Sequence, residues 1–394
     1  MKLQGRAPLG TTQLLLGLMA TAAMAPAIAQ SKASDASSSV SLYGVIDNAI
    51  DFARSSGSGG STVRVQPSVG LASRFGIRGS ESLGGGLRTV FTLEAGFNSD
   101  TGEWLSYSGN PGYNGTKPAA ALTGFGRRSF VGLEGRFGSL TFGRDYTPFF
   151  WAHFGTSAVG YSYYGSTQSY YDLTGTGPER SARASNAVFY ATPSLGGVTA
   201  RAMYSMGAES FGSTGEAPKS ANRMWSTGIE YVQGRLTLAA AYQSLALAEI
   251  GGTTAAPVFT GATTDRKDWV IGGRYNFGAF SLAAGHARSD PEGANNAGRQ
   301  SWLGGTVKAG TGTAALQVQR VDREVATGTK PRANVMSVSY AYPFSRRTTG
   351  YVNYGAVYNN ETAAFRLYGA ATNTAPTANG ANVSAFAIGI THSF

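Results

Sequence analysis

Residues 74–98 read RFGIRGSESLGGGLRTVFTLEAGFN, and this stretch decides the fold. Two arms of alternating apolar and polar residues flank the glycine-rich turn 79–86. Successive side chains of a strand point to opposite faces, so an alternating arm has one apolar face and one polar face. In the second arm Leu93 and Phe97 lie on one face and Glu94 lies on the other. The pattern predicts a β-hairpin with hydrocarbon on one side and charge on the other.

The same alternation recurs along the chain from about residue 39 to the end. Candidate strands of roughly ten residues begin near Val40, Arg74, Leu87, Arg128, Ser139, Ser185, Val198, Asn222, Leu236, Lys267, Phe280, Arg299, Thr313, Asn334, Thr348 and Asn382. The total is about sixteen, and each strand has the length that a tilted transmembrane strand needs. No helical periodicity lasts long enough to compete with this interpretation.

The connections between these strands alternate in length. Short ones lie at residues 134–138, 193–197, 233–235 and 276–279. Long ones lie at about 99–125, 146–184, 207–221, 245–265, 289–298, 322–331 and 359–381. Short turns at one end and long loops at the other are typical of outer-membrane barrels, whereas a soluble β-sandwich does not require this alternation. The sequence therefore predicts an all-β fold, a transmembrane antiparallel β-barrel of about sixteen strands.

The first 29 residues have the pattern of a signal peptide. A basic start is followed by an apolar run at 14–19 and by Ala-Ile-Ala at 27–29, which fits a cleavage site. A transmembrane anchor is the alternative, but the apolar run is too short to span about 30 Å of hydrocarbon. We expect a signal peptide at residues 1–29 and a single barrel domain at residues 30–394.

Charge and composition exclude several functional classes. Removing Lys2 and Arg6 with the leader leaves 30 basic and 22 acidic residues, a charge of +8. No basic run is present, so we expect no nucleic-acid binding. The chain has no cysteine, and its three histidines show no metal-site spacing, so we expect no cofactor, no metal and no enzymatic activity. A serine–histidine pair stays an open alternative, because catalytic triads are assembled in space.

Several segments resemble a known family in order along the chain. They are residues 41–47, 73–87, 130–133, 140–144, 190–197 and the terminal Phe394. Together they resemble the Gram-negative trimeric porins, the sixteen-stranded general porin family of neisserial and Burkholderia-like bacteria. Phe394 also suits the strand that closes a barrel, with its ring at the membrane interface.

The resemblance implies a homotrimer of water-filled channels in the Gram-negative outer membrane, surrounded by lipid and lipopolysaccharide. Such channels pass ions and small hydrophilic solutes passively. The resemblance also implies that the third external loop, here from Tyr146 to about Arg183, folds into the lumen. In such porins this loop carries acids that face a wall of arginines.

The resemblance assigns these pore roles by position. The wall arginines are Arg74 and Arg144, the third is Arg180 or Arg183, and Arg128 is a further candidate. The loop acids are Asp172 and Glu179. The Pro-Glu-Phe-Gly segment of some relatives is missing, and the loop is aromatic instead, with Tyr161, Tyr163, Tyr164, Tyr170 and Tyr171.

Three functional hypotheses follow. Arginine stays charged at physiological pH, and wall arginines facing few acids predict a passive channel with weak anion preference. The alternative is a solute-specific channel for sugars or organic anions, because a tyrosine track could stack on a solute. The structural interpretation is that these tyrosines pack the loop against the barrel wall and bind no solute. A barrel adhesin or receptor would act through its external loops, which here are modest in length.

Overall fold

The computed structural model describes residues 38–57, 59–105, 124–174, 179–207, 222–252, 257–291 and 296–394. The predicted signal peptide lies outside these residues. The strands are β1 (Ser39–Ser55), β2 (Ser61–Pro67), β3 (Arg74–Gly84), β4 (Leu87–Gly96), β5 (Arg128–Gly135), β6 (Gly138–Tyr146), β7 (Arg183–Ala191), β8 (Val198–Ser205), β9 (Met224–Gln233), β10 (Leu236–Gly252), β11 (Pro257–Asn276), β12 (Phe280–Pro291), β13 (Gly298–Ala309), β14 (Gly312–Arg323), β15 (Arg332–Pro343), β16 (Thr348–Asn359), β17 (Leu367–Tyr368), β18 (Asn373–Thr374) and β19 (Val383–Ser393).

The strands form a closed antiparallel barrel. β1 pairs with both β2 and β3, each strand from β3 to β15 pairs with the next along the chain, and β19 pairs with both β16 and β1 to close the ring. Both β2 and β3 pair with β1 and share one position, so the ring has sixteen positions. The short strands β17 and β18 form a separate pair. The predicted all-β barrel of about sixteen strands is confirmed.

Exposure alternates along the strands in the sense that a membrane barrel requires. In β14 the side chains of Leu316 and Val318 are 52% and 46% exposed, whereas Gln317 and Gln319 between and beside them are 0% and 4% exposed. The apolar residues therefore face outward and the polar residues face the inside of the ring. An apolar outer band of this kind matches hydrocarbon.

The strand β2 was missed by the sequence analysis, and its position is explained by a break at Asp47. Pro67 ends β2 because proline cannot donate to the strand ladder. The six residues 68–73 then leave the ladder before β3 begins. The main-chain N–H groups of Gly70 and Leu71 donate to the buried Asp47 carboxylate at 3.0 and 3.1 Å. One carboxylate thus replaces the ladder partners that this segment lacks.

Among the described residues, the predicted connections agree with the structure at all but one place, and residues 106–123 and 208–221 of two predicted long loops lie outside the described residues. The predicted long loop 245–265 is wrong, because β10 and β11 stay paired from Leu236 to Gly252, with one irregularity after Ala248. Main-chain pairing does not depend on side-chain alternation, so the hairpin continues past the point where the sequence pattern stops. The start of β11 accordingly lies at Pro257 rather than near Lys267.

The long connection between β6 and β7 contains most of the helical structure. It holds α1 (Pro148–Gly155), a 3₁₀ helix (Thr167–Asp172) and α2 (Glu179–Ala182). Thr147 caps α1 by accepting from the N–H of Phe150, with proline at the start of the helix as the terminus prefers. In the described part of the chain, no helix is both long and apolar enough to cross a membrane.

Candidate functional site

A cavity of about 1160 Å³ lies inside the ring. At the end with the short turns it is lined by Arg274 near the end of β11 and by Arg347, which follows β15. At the other end it is lined by Leu105 and Asn373, which belong to long connections. The cavity therefore reaches toward both ends of the barrel, as a passage through the ring does.

The charged lining of this cavity is strongly cationic. Its described arginines are Arg74, Arg78, Arg127, Arg128, Arg183, Arg201, Arg274 and Arg347, and its described acids are Glu94 and Glu230. Eight cations against two anions leave an excess of six positive charges. Such a lining attracts anions, and low-dielectric walls focus its field.

Two of these arginines hold Glu94 between them. The Nε atom of Arg127 lies 2.7 Å from one carboxylate oxygen of Glu94, and the Nε atom of Arg74 lies 3.6 Å from the other. Tyr43 also donates its hydroxyl to Glu94 at 2.9 Å. The sequence analysis missed Arg127, although it directly precedes Arg128. A residue just before a strand is not bound by the alternation of that strand, and the side chain of Arg127 turns toward Glu94.

Arg128 and Arg183 line the cavity with different partners. Arg128 makes a two-pronged ion pair with Asp145, with N–O distances of 2.7 and 2.8 Å. The guanidinium of Arg183 lies 4.4 Å from the ring centre of Tyr146 and donates to the Tyr146 hydroxyl at 2.7 Å. Planar stacking and hydrogen bonding fix both guanidinium groups in defined orientations.

Arg144 is placed differently from the other candidate wall arginines. It is 7% exposed, donates to the carbonyl of Gly126 and to Ser185 Oγ, and is not among the residues that line the cavity. The pairing of β6 with β7 shifts register between Gly143 and Asp145. A β-bulge re-aims the side chains on either side of it, which explains this orientation.

Of the other predicted charged residues, Asp172 does not line the cavity, and the side chains of Glu179 and Arg180 lie outside the described residues. Asp172 accepts from Arg366 Nε and from the hydroxyl of Tyr368, both at 2.7 Å, and ties the 3₁₀ helix to the connection that follows β16. Glu179 and Arg180 lie in α2, and their side chains are outside the described residues.

Three cavity arginines that were not predicted as pore-wall residues form no ion pair with any described carboxylate. Arg78 lies over the ring of Tyr43 at 5.1 Å, and Arg274 and Arg347 lie near the short turns. The polar face of β3 contains both Arg74 and Arg78, which are four residues apart, so the alternation itself indicates that the two point the same way. Only ring closure shows that Arg274 and Arg347 reach the same cavity.

The loop tyrosines divide into two groups. Tyr161 and Tyr171 line the cavity. Tyr164 donates its hydroxyl to Asp51 at 2.6 Å, Tyr170 donates to the carbonyl of Arg288 at 3.2 Å, and the ring of Tyr163 packs on Tyr351. The second group has the contacts that the packing interpretation predicts.

The interior of α1 holds a buried histidine. His153 bonds through its ring nitrogens to the hydroxyl of Tyr161 at 2.6 Å and to Gln300 Oε1 at 2.8 Å. Burial lowers the pKa of His153 to about 4, so the imidazole is neutral at pH 7. Within the residues that the structure describes, no group of His, Cys, Asp or Glu side chains could hold a metal ion.

The last residue completes the closure of the ring. Phe394 and Gly44 exchange two main-chain hydrogen bonds of 3.1 Å. The ring of Phe394 lies directly over Gly44, where an added Cβ would come within 2.3 Å of it. The absence of a side chain at Gly44 therefore gives the terminal aromatic its place.

Comparisons with known proteins agree with this architecture. A family model described as Gram-negative porin matches residues 17–362. The outer membrane porin protein 32 of Delftia acidovorans is 27% identical, over 93% of this chain and 97% of its own. An outer membrane porin of Bordetella pertussis is 28% identical, over 83% and 91%. The solved structure of an anion-selective porin from Comamonas acidovorans superposes with a TM-score of 0.72 at 24% identity, covering 91% of this chain and all of its own. The chain belongs to the Gram-negative porin family, whose members are passive channels of the outer membrane.

Proposed function

We propose that this porin passes small hydrophilic solutes through one central passage, that residues 147–174 narrow the passage, and that the passage prefers anions. One observation carries the proposal: the cavity reaches toward both ends of the ring, and eight arginines and two glutamates line it. The family accounts for passive diffusion, while this lining accounts for the sign of the selectivity.

Contacts of the segment 147–174 with distant strands support its place across the lumen. Trp302 on β13 donates to the carbonyl of Thr156 at 2.9 Å. The main-chain N–H of Tyr164 donates to Asn353 on β16 at 2.8 Å. A segment that leaves β6 and bonds to β13 and β16 has to pass across the interior of the ring. These bonds support a fixed place for the segment across the passage.

The sign of the selectivity follows from the partners of the arginines. Glu94 faces Arg74 and Arg127, and the other cavity acid, Glu230, lies 3.8 Å from Arg201. Arg78, Arg274 and Arg347 add charge that no described carboxylate balances. Charged rings of one sign set ion selectivity in wide pores. Chloride is therefore concentrated in the passage and potassium is depleted.

The test is the reversal potential of the purified protein in a planar bilayer under a KCl gradient, with Arg74→Ser and Arg144→Ser as variants. We expect anion preference in the wild type and a shift toward cations in Arg74→Ser. Arg144→Ser serves as the comparison and is expected to shift the potential less, because Arg144 does not line the cavity. Cation selectivity of the wild type contradicts the proposal.

The solute-specific alternative is favoured by one observation, the presence of Tyr161 and Tyr171 on the cavity wall. A sugar track predicts a current that sugars block in a saturable way. General diffusion predicts a current that is linear in salt and unaffected by sugar. Titrating maltose into the bilayer chamber separates the two.

We also propose that residues 1–29 are removed on export and that the mature chain assembles as a homotrimer in the lipid and lipopolysaccharide of the outer membrane. The apolar leader with its Ala-Ile-Ala site supports the first statement. The family resemblance supports the second, and one structure that superposes on this chain with a TM-score of 0.61 is described as the trimer form of OmpT of Vibrio cholerae. Amino-terminal sequencing from Gln30 and a threefold mass in detergent are the expected results.

A further inference from the structure

The cavity has two walls of different chemistry. Arginines from β3, β5, β7 and β8 and from the connection before β5 line one part of it. The other part is formed by α1, which packs against β8–β11, across the ring from β3. This helix presents Phe150, Trp151 and Phe154 to the cavity and carries no acid or base besides His153. A solute in the passage therefore meets cations and flat apolar rings at the same time.

Packing covers only part of the surface of these rings. Phe149 is 1% exposed, stacks on His153 and packs against the tilted ring of Tyr170, so it supplies a contact between α1 and its surroundings. Trp151 and Phe154 both contact the ring of Phe150, and each remains half-buried at the edge of the cavity. Apolar surface left in water costs free energy that a partner with an apolar body recovers on contact.

A cation stands directly beside one of these rings. The guanidinium of Arg201 lies 5.8 Å from the ring centre of Trp151, and Arg183 lies over Tyr146, which stacks on Phe150 with ring centres 4.0 Å apart. If the carboxylate group of a solute bound at Arg183 or Arg201, the apolar part of that solute would contact the aromatic side chains of α1. Guanidinium is the side-chain group best suited to a planar carboxylate.

We propose that the passage contains a binding site for aromatic carboxylates, with the carboxylate at Arg183 and Arg201 and the ring on Trp151 and Phe154. This inference rests on the proposed anion-preferring channel and names its preferred solute class. Sugars fit less well, because a lining with eight arginines and two glutamates offers few acceptors to their hydroxyl groups. The 3.8 Å between Arg201 and Glu230 exceeds hydrogen-bond length, so Arg201 keeps donors for a carboxylate. Inorganic anions would use the arginines but leave the rings uncovered.

The test is block of the chloride current by four probes in planar bilayers: benzoate, cyclohexanecarboxylate, acetate and benzyl alcohol. Benzoate and cyclohexanecarboxylate share charge and size but differ in flatness, while benzyl alcohol has the ring without the charge. We expect benzoate to block at about threefold to tenfold lower concentration than cyclohexanecarboxylate, the ratio that aromatic pairing gives. Acetate and benzyl alcohol are expected to block more weakly still.

Two variants locate the effect. Trp151→Leu and Phe154→Leu keep every cavity charge, so each should reduce the preference for benzoate over cyclohexanecarboxylate while the passage still prefers chloride over potassium. Trp225→Leu is the matched control, because Trp225 is exposed on β9 in alternation with the inward-facing Ser226. It should behave as the wild type.

The outcomes separate this inference from the function on which it rests. Equal block by benzoate and cyclohexanecarboxylate in an anion-preferring wild type overturns the aromatic site alone. Cation preference of the wild type overturns the proposed function. Should Trp151→Leu fail to fold, Phe154→Leu and the probe series on the wild type still decide the question, and an undiminished benzoate preference in Phe154→Leu counts against the site.

Discussion

Arg78 gives the sharpest test of the cationic lining, because it lies in the cavity without a described acidic partner. Arg78→Gln removes one charge and keeps a shorter, polar side chain. Two unit charges about 6 Å apart in water interact by about 0.7 kcal/mol. Screening at 0.1 M salt, where the Debye length is about 10 Å, reduces this to about 0.4 kcal/mol.

An energy of about 0.4 kcal/mol changes the local concentration of each ion by about twofold. Chloride falls and potassium rises, so the permeability ratio of chloride to potassium should fall about fourfold in Arg78→Gln. The assay is the reversal potential in a tenfold KCl gradient centred on ~0.1 M.

The matched control is Arg88→Gln. Arg88 is also on the β3–β4 hairpin, but it pairs with Glu134 at the turn and does not line the cavity. Its removal changes the net charge of the protein equally and should leave the ratio within about 1.5-fold, since exposed pairs at a distance are screened. An unchanged ratio in Arg78→Gln, or an equal shift in both variants, refutes the reasoning.

Three further predictions follow from the same contacts. Glu94→Gln removes one of the two described cavity acids, so the chloride preference should rise about fourfold by the same Coulomb estimate, and a reversal potential that moves toward potassium contradicts this. His153 is held neutral by burial, so protonation of the unfolded chain should reduce stability by up to about 3 kcal/mol as pH falls from about 6.5 to about 4, with full stability above that range. Thermal unfolding in detergent at several pH values measures this loss of stability. If His153→Gln loses the same stability over the same pH range, the loss belongs to other groups. Gly165 has a φ of +83°, and a Cβ there would lie only 2.2 Å from the carbonyl oxygen of Met336, whereas Gly84 has a φ of +85° with open space around it. Gly165→Ala should therefore lower the melting temperature more than Gly84→Ala does. Equal losses in the two variants contradict the close approach at Gly165.

The sequence predicted the barrel well because its determinants are local. Period-two alternation is readable within ten residues, and it identified a strand at every ring position; only β2, which shares a position with β3, was missed. The missed strand is short and ends at Pro67, where residues 68–73 turn to Asp47. The β10–β11 hairpin was shortened in the prediction, because main-chain pairing extends beyond the patterned side chains.

The candidate site was only partly predictable, because its members come together through ring closure. Arg74, Arg128 and Arg183 share one cavity, as their positions on β3, β5 and β7 allow. Arg144 turns to Gly126 at a register shift that no local pattern announces. Arg347 lies more than 250 residues from Arg74 in sequence, and only the pairing of β19 with β1 brings its end of the chain to the same passage.

The most direct measurement is the current of single wild-type insertions in a planar bilayer under a KCl gradient. A cation-lined passage through the ring predicts a steady, ohmic conductance. Its reversal potential should lie between zero and the Nernst potential of chloride. Insertions that carry no current, or whose reversal potential lies toward the Nernst potential of potassium, would show that the cavity with its eight arginines is not the path that ions take.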